Sequence, residues 1–164
     1  TKRRKAPSIY SSQMLEKQKV RFSYGINERQ LQKYVSMAQQ QKVSSVSEKL
    51  YELLETRLDN VVYRSGWAGT RALARQMCSH GHILVNGKKV KAPSHIVSAG
   101  DIITPREGSR GSVLFTELPT RLKGYNSPNW LKSDLGELKT TVSGVPKNVD
   151  GYLDLNTVLE FYSR

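Results

Sequence analysis

The sequence predicts an α+β protein with a mostly α-helical N-terminal domain, an inserted module of two to three helices packed on a small mixed sheet, and a short mixed C-terminal segment. Three observations indicate this class. Apolar residues recur at helical spacing over most of residues 11–62. A capped helical pattern is followed by a hairpin signal. A turn then leads into a short buried strand at 101–104. We expect domain boundaries at 1–56, 57–117 and 118–164.

Two helices are expected at the N-terminal end. The first spans 11–24, with Ser12 as a candidate cap. Asn27 can cap the second helix, and the apolar face that we expect to be buried contains Leu31, Tyr34, Val35 and Ala38. A third helix begins near Ser47. Its apolar stripe continues beyond Arg57, so periodicity leaves open whether the helix breaks there.

The stretch 70–80 has the pattern of a short helix with two different faces. Thr70 can accept hydrogen bonds from the free amides of the first turn, and Gly81 can adopt the left-handed conformation that ends a helix. One face is apolar and contains Leu73, Ala74, Met77 and Cys78. The other face is polar and carries Arg71, Arg75 and Ser79 at four-residue spacing.

A basic hairpin follows this helix. Asn86-Gly87 between two apolar runs is the strongest short-range signal for a two-residue hairpin turn, and Lys88 and Lys89 come directly after it. From Gly108 onwards the pattern weakens to short helices or strands between glycines and prolines. Asn156 is then expected to cap a last short helix.

Positive charge is concentrated at the N-terminal end. The chain of 164 residues has 26 Lys and Arg against 14 Asp and Glu, a formal net charge of +12. Residues 1–50 contribute +8, residues 51–107 contribute +3 and residues 108–164 contribute +1. Such an uneven basic charge indicates a polyanionic partner, most often nucleic acid. The alternative is a protein that is basic without a polyanionic partner.

Several function classes find no support in the residues. Cys78 is the single cysteine, so no intrachain disulfide is possible, and its place on an apolar helix face favours core packing over nucleophilic catalysis. The three histidines, His80, His82 and His95, are too few for a convincing metal site. No glycine-rich phosphate loop, membrane span or secretory signal is visible. We therefore expect no catalytic residue, no metal, no cofactor and no membrane partner.

Cations on rigid elements suit structured RNA, which is recognised largely through its shape, phosphates and ribose hydroxyls. The candidate contacts of the N-terminal third are Lys2, Arg3, Arg4, Lys5, Lys17, Lys19, Arg21 and Arg29. For the terminal run, a solvated tail is the alternative. Tyr24 is predicted to stack on a base, because it ends a helix among charged residues, with core packing as its alternative. For Phe22 and Tyr34 we favour core packing.

Several segments together resemble a known RNA-binding module. These are Arg57-Leu-Asp-Asn-Val-Val-Tyr-Arg64, Thr70-Arg-Ala-Leu-Ala-Arg75, Ser79-His-Gly-His-Ile-Leu-Val-Asn-Gly-Lys-Lys-Val90 and Gly100-Asp-Ile102. They resemble the module named after small-subunit ribosomal protein four, which also occurs in pseudouridine synthases, tyrosyl-tRNA synthetases and a heat-shock protein. The flanking segments Glu16–Arg21, Tyr24-Gly25, Glu28–Gln30 and Glu160–Arg164 resemble the ribosomal protein family itself.

The resemblance implies a primary binder of small-subunit rRNA. Such a protein nucleates assembly of the 5′ domain, borders ribosomal protein five, supports translational accuracy and in several bacteria represses its own mRNA. A cytoplasmic ribosome is implied, with an organellar ribosome as the alternative. Family members begin with a further segment, in some cases a zinc-binding knuckle, which we expect to be missing before Thr1. The module residues implied to contact RNA are Arg64, Arg71, Arg75, Ser79, His80, Asn86, Lys88 and Lys89.

Two other functions remain as alternatives. An RNA-modifying enzyme could carry the same module, but the 57 residues after Glu107 offer no catalytic constellation. A stand-alone RNA quality-control or stress factor would not need the flanking segments that resemble the ribosomal protein. We therefore expect a structural rRNA-binding protein.

Overall fold

The computed structural model describes residues 3, 5–6, 8–148 and 151–163. Its helices are α1 Ile9–Tyr24, α2 Glu28–Gln40, α3 Val46–Glu55, α4 Leu58–Arg64, α5 Arg71–Ser79, α6 Val113–Thr116, α7 Leu118–Arg121 and α8 Leu155–Tyr162. Its strands are β1 Ile83–Val85, β2 Lys88–Lys89, β3 Ile102–Pro105, β4 Leu131–Asp134 and β5 Lys139–Val142. A short 3-10 turn covers Glu107–Ser109. The α+β class predicted from the sequence is confirmed.

The chain divides into two compact units. The helical unit comprises Thr1–Leu53 and Lys147–Arg164, and the sheet unit comprises Leu54–Pro146. The division therefore falls inside α3, whereas the sequence placed it at residue 57. It also assigns residues 118–146, which we expected in a separate C-terminal segment, to the sheet unit.

The helical unit is built from α1, α2, α8 and most of α3, and α8 packs against α1 and α2. Two predicted caps are wrong, the first by about one turn and the second by about half a turn. Ser8 rather than Ser12 caps α1, because its hydroxyl accepts a hydrogen bond from the Ser11 amide. Asp154 rather than Asn156 caps α8, because its carboxylate accepts from the Thr157 amide. The predicted Asn27 cap of α2 is confirmed, with Gln30 completing a capping box.

The sheet unit has five strands in the order β2-β1-β3-β5-β4, and all neighbouring strands pair antiparallel. The expected mixed sheet is therefore corrected. The sheet is wider than expected because β5 pairs with β3, bringing Thr141 opposite Ile102. The Thr140 hydroxyl also donates to Ser65, which connects β5 to the end of α4. These long-range pairings explain why residues up to Pro146 belong to this unit.

Local signals in the sheet unit are confirmed. Thr70 caps α5 by accepting from the Leu73 amide, and Gly81 follows the helix with a φ of +78°. Asn86 and Gly87 have φ angles of +52° and +80°, which is the left-handed pair that a type I′ hairpin turn requires. The helical stripe does break at Arg57, since α3 ends at Glu55 and α4 begins at Leu58.

The core of the sheet unit lies between its helices and one face of the sheet. It is fully apolar at its centre and contains Leu58, Val61, Val62, Trp67, Met77, Cys78, Ile83, Ile103, Phe115 and Leu118. The rings of Trp67 and Phe115 meet edge to face at 6.3 Å. Packing of α4 and α5 on this core fixes the two helices that carry the predicted arginines.

Candidate nucleic-acid interface

A buried carboxylate lies at the start of α4. Asp59 accepts hydrogen bonds from Nε and Nη2 of Arg57 at 3.1 and 3.0 Å, and both side chains are only 2% exposed. The second Asp59 neighbour is Arg75 on α5, whose Nε lies 3.7 Å from Oδ2. Because 41% of the Arg75 side chain is exposed, this carboxylate connects a buried arginine to one at the surface.

A second buried carboxylate, Glu55, binds Arg64 and connects through Asn60 to Arg71. Glu55 is fully buried and accepts from Nη2 and Nε of Arg64 at 2.8 and 3.2 Å. It also accepts from the Asn60 amide group at 2.6 Å. The Asn60 carbonyl oxygen accepts from Nε of Arg71 at 3.0 Å, and the Arg71 guanidinium lies 4.4 Å from the centre of the Tyr63 ring. The three predicted arginines Arg64, Arg71 and Arg75 are thus each held by a buried acceptor.

The end of α5 and the hairpin add further polar groups. Ser79 and His80 are exposed, and the Ser79 hydroxyl donates to the Gln76 carbonyl at 3.2 Å. Lys88 and Lys89 are exposed on β2. A Cβ at Gly81 would meet the side-chain carbons of Lys91 at 3.3 Å and of Lys89 at 3.4 Å, so both lysine stems lie over this glycine. Cations are favourable here because the carbonyl end of a helix carries partial negative charge.

Asn86 is exposed, but its side chain also closes the hairpin. Its amide group donates to Asp101 at 2.9 Å, and its carbonyl oxygen accepts from the Ile102 amide at 2.9 Å. Both partners belong to the segment leading into β3. The side chain therefore fixes the turn against the neighbouring strand, whatever it contacts outside the chain.

A basic cluster near the hairpin was missed from the sequence. His82 Nδ1 lies 2.7 Å from the hydroxyl oxygen of buried Ser109, to which Nε of Arg106 donates at 3.3 Å. Burial, with the nearby charges of Arg106 and His80, lowers the pKa of His82 below its ordinary value. Lys91 and Arg106 are exposed beside these groups. The two-residue spacing of Lys89 and Lys91 after the turn could have indicated that Lys91 belongs to this cluster. No local pattern indicates Arg106, because only the pairing of β3 with β1 brings it next to His82.

Two predicted contacts of the helical unit point inward. Lys17 is 8% exposed, and its ammonium lies 2.9 Å from Glu28 and 4.6 Å from the centre of the Phe161 ring. Arg21 donates to Gln18 at 2.8 Å and lies 3.6 Å from the same Glu28 carboxylate. The reason is helical spacing, because Lys17 shares the buried face of α1 with Gln13, Val20 and Tyr24.

Glu28 is the centre of this inward cluster. The Tyr162 hydroxyl donates to its Oε1 at 2.6 Å. Burial acts to raise the pKa of Glu28, but the hydrogen bonds from Tyr162 and Lys17 and the charges of Lys17 and Arg21 outweigh it, so the pKa lies below the ordinary value. The carboxylate therefore stays ionised and holds α1, α2 and α8 together.

The two aromatic predictions on α1 are reversed. Tyr24, predicted to stack on a base, is 1% exposed and belongs to the core. Phe22, for which we favoured core packing, is 76% exposed. It lies on the face of α1 opposite Tyr24, together with exposed Leu15, and the Arg21 guanidinium is 5.8 Å from its ring centre. The position of Tyr24 at a charged helix end therefore does not predict its exposure. The face of α1 on which each ring lies determines which of the two is buried.

The remaining cations of the helical unit lie nearer the surface. Lys19 is partly exposed, donates to the Tyr152 carbonyl and lies 3.7 Å from Glu16. Arg3, Lys5 and Arg29 are exposed. The predicted contacts Lys2 and Arg4 lie outside the described residues.

The described part of the chain holds no cluster of three or more metal-ligating side chains. Within the same residues, no helix is both long and apolar enough to cross a membrane. Cys78 is buried, and burial, with the Asp59 charge, raises the pKa of its thiol to about 12. A thiol with such a pKa is a poor nucleophile at neutral pH.

The fold and these side chains define the class as an RNA-binding protein, with two short helices and a basic hairpin bearing the cations. Comparison with known families agrees. Residues 56–103 match the S4 domain, and residues 1–55 match the ribosomal protein S4/S9 N-terminal domain.

Relatives with curated names cover nearly the whole chain. The small ribosomal subunit protein uS4 of Aquifex aeolicus is 43% identical over 99% of this chain and 79% of its own length. The uS4A protein of Alkaliphilus oremlandii is 46% identical over 98% and 78%, and uS4 of Chloroflexus aurantiacus is 42% identical over 99% and 80%. The chain belongs to the uS4 family of ribosomal proteins. This is a family of structural, rRNA-binding proteins of the small subunit and not of enzymes.

Proposed function

We propose that this chain is a primary binder of small-subunit rRNA that nucleates assembly of the 5′ domain and supports translational accuracy. The observation that carries the proposal is the row of three arginines on α4 and α5, each held by a buried acceptor. Arginine presents its N–H donors in a planar fork that matches a phosphate, and a rigid base keeps that fork in place. Such a surface suits the fixed phosphate spacing of folded RNA.

The hairpin end extends this surface. Ser79 and His80 are exposed at the end of α5, Lys88 and Lys89 are exposed on β2, and we add Lys91 and Arg106 from the structure. Each cation that neutralises a phosphate releases condensed counterions, so affinity must fall steeply with salt. We propose that Asn86 contributes through the shape of the turn.

In the helical unit, the proposed contacts are Arg3, Lys5, Lys19 and Arg29, with Lys2 and Arg4 continuing the N-terminal run. Lys17 and Tyr24 are not carried into the proposal, because both are buried. Arg21 is retained only as a support for Phe22, which replaces Tyr24 as the aromatic contact. An exposed ring next to a guanidinium can stack on any base.

The test uses two charge-matched double variants. Arg71→Ala/Arg75→Ala removes two proposed contacts, whereas Arg121→Ala/Lys123→Ala removes two exposed cations of the same unit at α7. We expect the first pair to weaken binding to small-subunit rRNA by at least about 100-fold, because charge-assisted hydrogen bonds contribute about 1.5–3 kcal/mol each. The slope of log K against log salt should also become shallower by about 2 units.

The control pair should cause a much smaller loss. Equal losses for the two pairs would show that only total charge matters and would contradict this interface. Protection of large-subunit rRNA alone in a footprinting experiment would instead favour a stand-alone quality-control factor.

We further propose ribosomal protein five as a neighbour, the chain's own mRNA as a second RNA ligand, and a ribosome of bacterial type as its location. The similarity to uS4 proteins of bacterial strains supports the last point, for a bacterial cytoplasm or an organelle. If the mRNA is a ligand, its leader should compete with rRNA for this chain, and Arg71→Ala/Arg75→Ala should weaken both complexes. A leader that binds without competing would exclude a shared surface.

A further inference from the structure

We propose that Asn60 and Glu55 are positioning residues that orient Arg64 and Arg71 toward RNA without touching it. The proposal rests on the function proposed above. Asn60 and Glu55 are both completely buried, so neither can meet a phosphate. The Glu55 carboxylate nevertheless contacts Arg64, and the Asn60 side chain contacts Arg71. Both arginines belong to the proposed interface. These two residues therefore act on RNA only through the side chains that they hold.

The contacts form a continuous chain through the interior. The Asn60 amide group donates to the Glu55 carboxylate at 2.6 Å and to the Glu55 backbone carbonyl at 2.8 Å. At one end, Glu55 accepts the two-point bond from Arg64. At the other end, Asn60 accepts from Nε of Arg71. One buried amide thus couples the directions of two surface arginines on different helices.

The chemistry of the arginine side chain suits this positioning role. A guanidinium has five N–H donors in a fixed plane, so a bond to Nε fixes the orientation of the whole fork. The Tyr63 ring, 4.4 Å from the Arg71 guanidinium, gives a second support from below. A long arginine side chain otherwise loses rotamer freedom when it binds, and restricting it beforehand reduces that loss. Placing the carboxylate beneath the surface also keeps negative charge away from the incoming phosphates.

The arrangement differs from an ordinary surface ion pair. Glu55 has no exposed side-chain area, whereas a third of the Arg64 side chain remains exposed. If the Arg64–Glu55 ion pair served only to neutralise charge, it would not need Asn60 to connect it to Arg71. The same chain explains why the stretch from Arg57 to Arg64 contains an asparagine among apolar core residues.

The experiment is a set of mutant cycles in the full chain, read by affinity for small-subunit rRNA and by thermal unfolding. Asn60→Ala is expected to weaken binding about tenfold, the size of one charge-assisted hydrogen bond. In the Arg64→Ala/Arg71→Ala background the same change should alter affinity less than about twofold, because the arginines that it positions are gone. Asn156→Ala, an exposed asparagine of α8, is the matched control and should change neither quantity.

Each outcome decides the question. A loss from Asn60→Ala that persists in the double-arginine background would show that Asn60 acts through the fold, and would overturn positioning while the proposed function stands. If Arg64→Ala/Arg71→Ala itself binds like the unsubstituted chain, the arginine face and the positioning role both fail. Should Asn60→Ala not fold, Glu55→Gln takes its place in the same cycle. It keeps the shape of the side chain and removes the charge that accepts from Arg64 and Asn60.

Discussion

The two units of the molecule use their cations in opposite ways. In the helical unit, Lys17 and Arg21 converge on one carboxylate, Glu28, and help to hold three helices together. In the sheet unit, buried acceptors lie beneath Arg64, Arg71 and Arg75 and leave part of each of these three side chains exposed, whereas Arg57 is buried with Asp59. The difference shows that the position of the acceptor decides the role of a cation. An acceptor at the centre of a cluster gives a structural cation, and we propose that one below the surface holds a cation for contact with a ligand.

The largest effect should come from removing the charge of Asp59. Asp59→Asn leaves the buried Arg57 guanidinium facing a neutral amide, and loss of one partner of a buried ion pair costs about 3–5 kcal/mol of unfolding free energy. Chemical denaturation measures this loss. Glu137→Gln, an exposed carboxylate of the same unit, should stay within about 0.5 kcal/mol. A small effect of Asp59→Asn would mean that the sheet unit does not depend on its buried acceptors.

The two aromatic residues of α1 should separate stability from binding. Tyr24→Ala removes a buried ring and should cost about 3–5 kcal/mol of stability. Phe22→Ala should leave stability nearly unchanged and weaken rRNA binding about tenfold, since base stacking contributes about 1–3 kcal/mol. Thermal unfolding and RNA affinity of both variants provide the check. Unchanged affinity of a folded Phe22→Ala variant would remove the aromatic contact from the helical unit.

The smallest effect concerns the pH dependence of the helical unit. The pKa of Glu28 is lowered in the folded chain, so its contribution to stability is present above the ordinary glutamate pKa and is lost as the pH falls through the folded value. Because 44% of its side chain is exposed, we expect less than about 1 kcal/mol at neutral pH. Unfolding of Glu28→Gln and the unsubstituted chain should therefore differ at pH 7 and converge in acid. A constant difference across this range would assign the effect to packing.

Local signals explain most of what the sequence predicted correctly. Thr70, Gly81 and the Asn86-Gly87 turn each act within a few residues, so their outcome does not depend on distant parts of the chain. Strands β4 and β5 are predicted only as short strands or turns, because their residues are mostly polar and the pairing of β5 with β3 is long-range. The hydroxyl contact of Thr140 with Ser65 joins residues 75 positions apart, which no local pattern reveals.

The candidate site was predictable in part for the same reason. Arg71 and Arg75 follow from helical spacing, but their buried acceptors lie on other segments. Lys17 was misjudged because half of the buried residues of α1 are polar, so the apolar residues Met14, Leu15 and Phe22 indicate the wrong face of this helix. Its partner Glu28 follows a loop, beyond the reach of spacing rules for a single helix.

The most direct test is the density of this chain within its own small ribosomal subunit. We expect phosphate oxygens within hydrogen-bond distance of the guanidinium groups of Arg64, Arg71 and Arg75, while Lys17 still contacts Glu28. Density in which those three arginines face solvent or another protein, and the rRNA contacts only other parts of the chain, would contradict it.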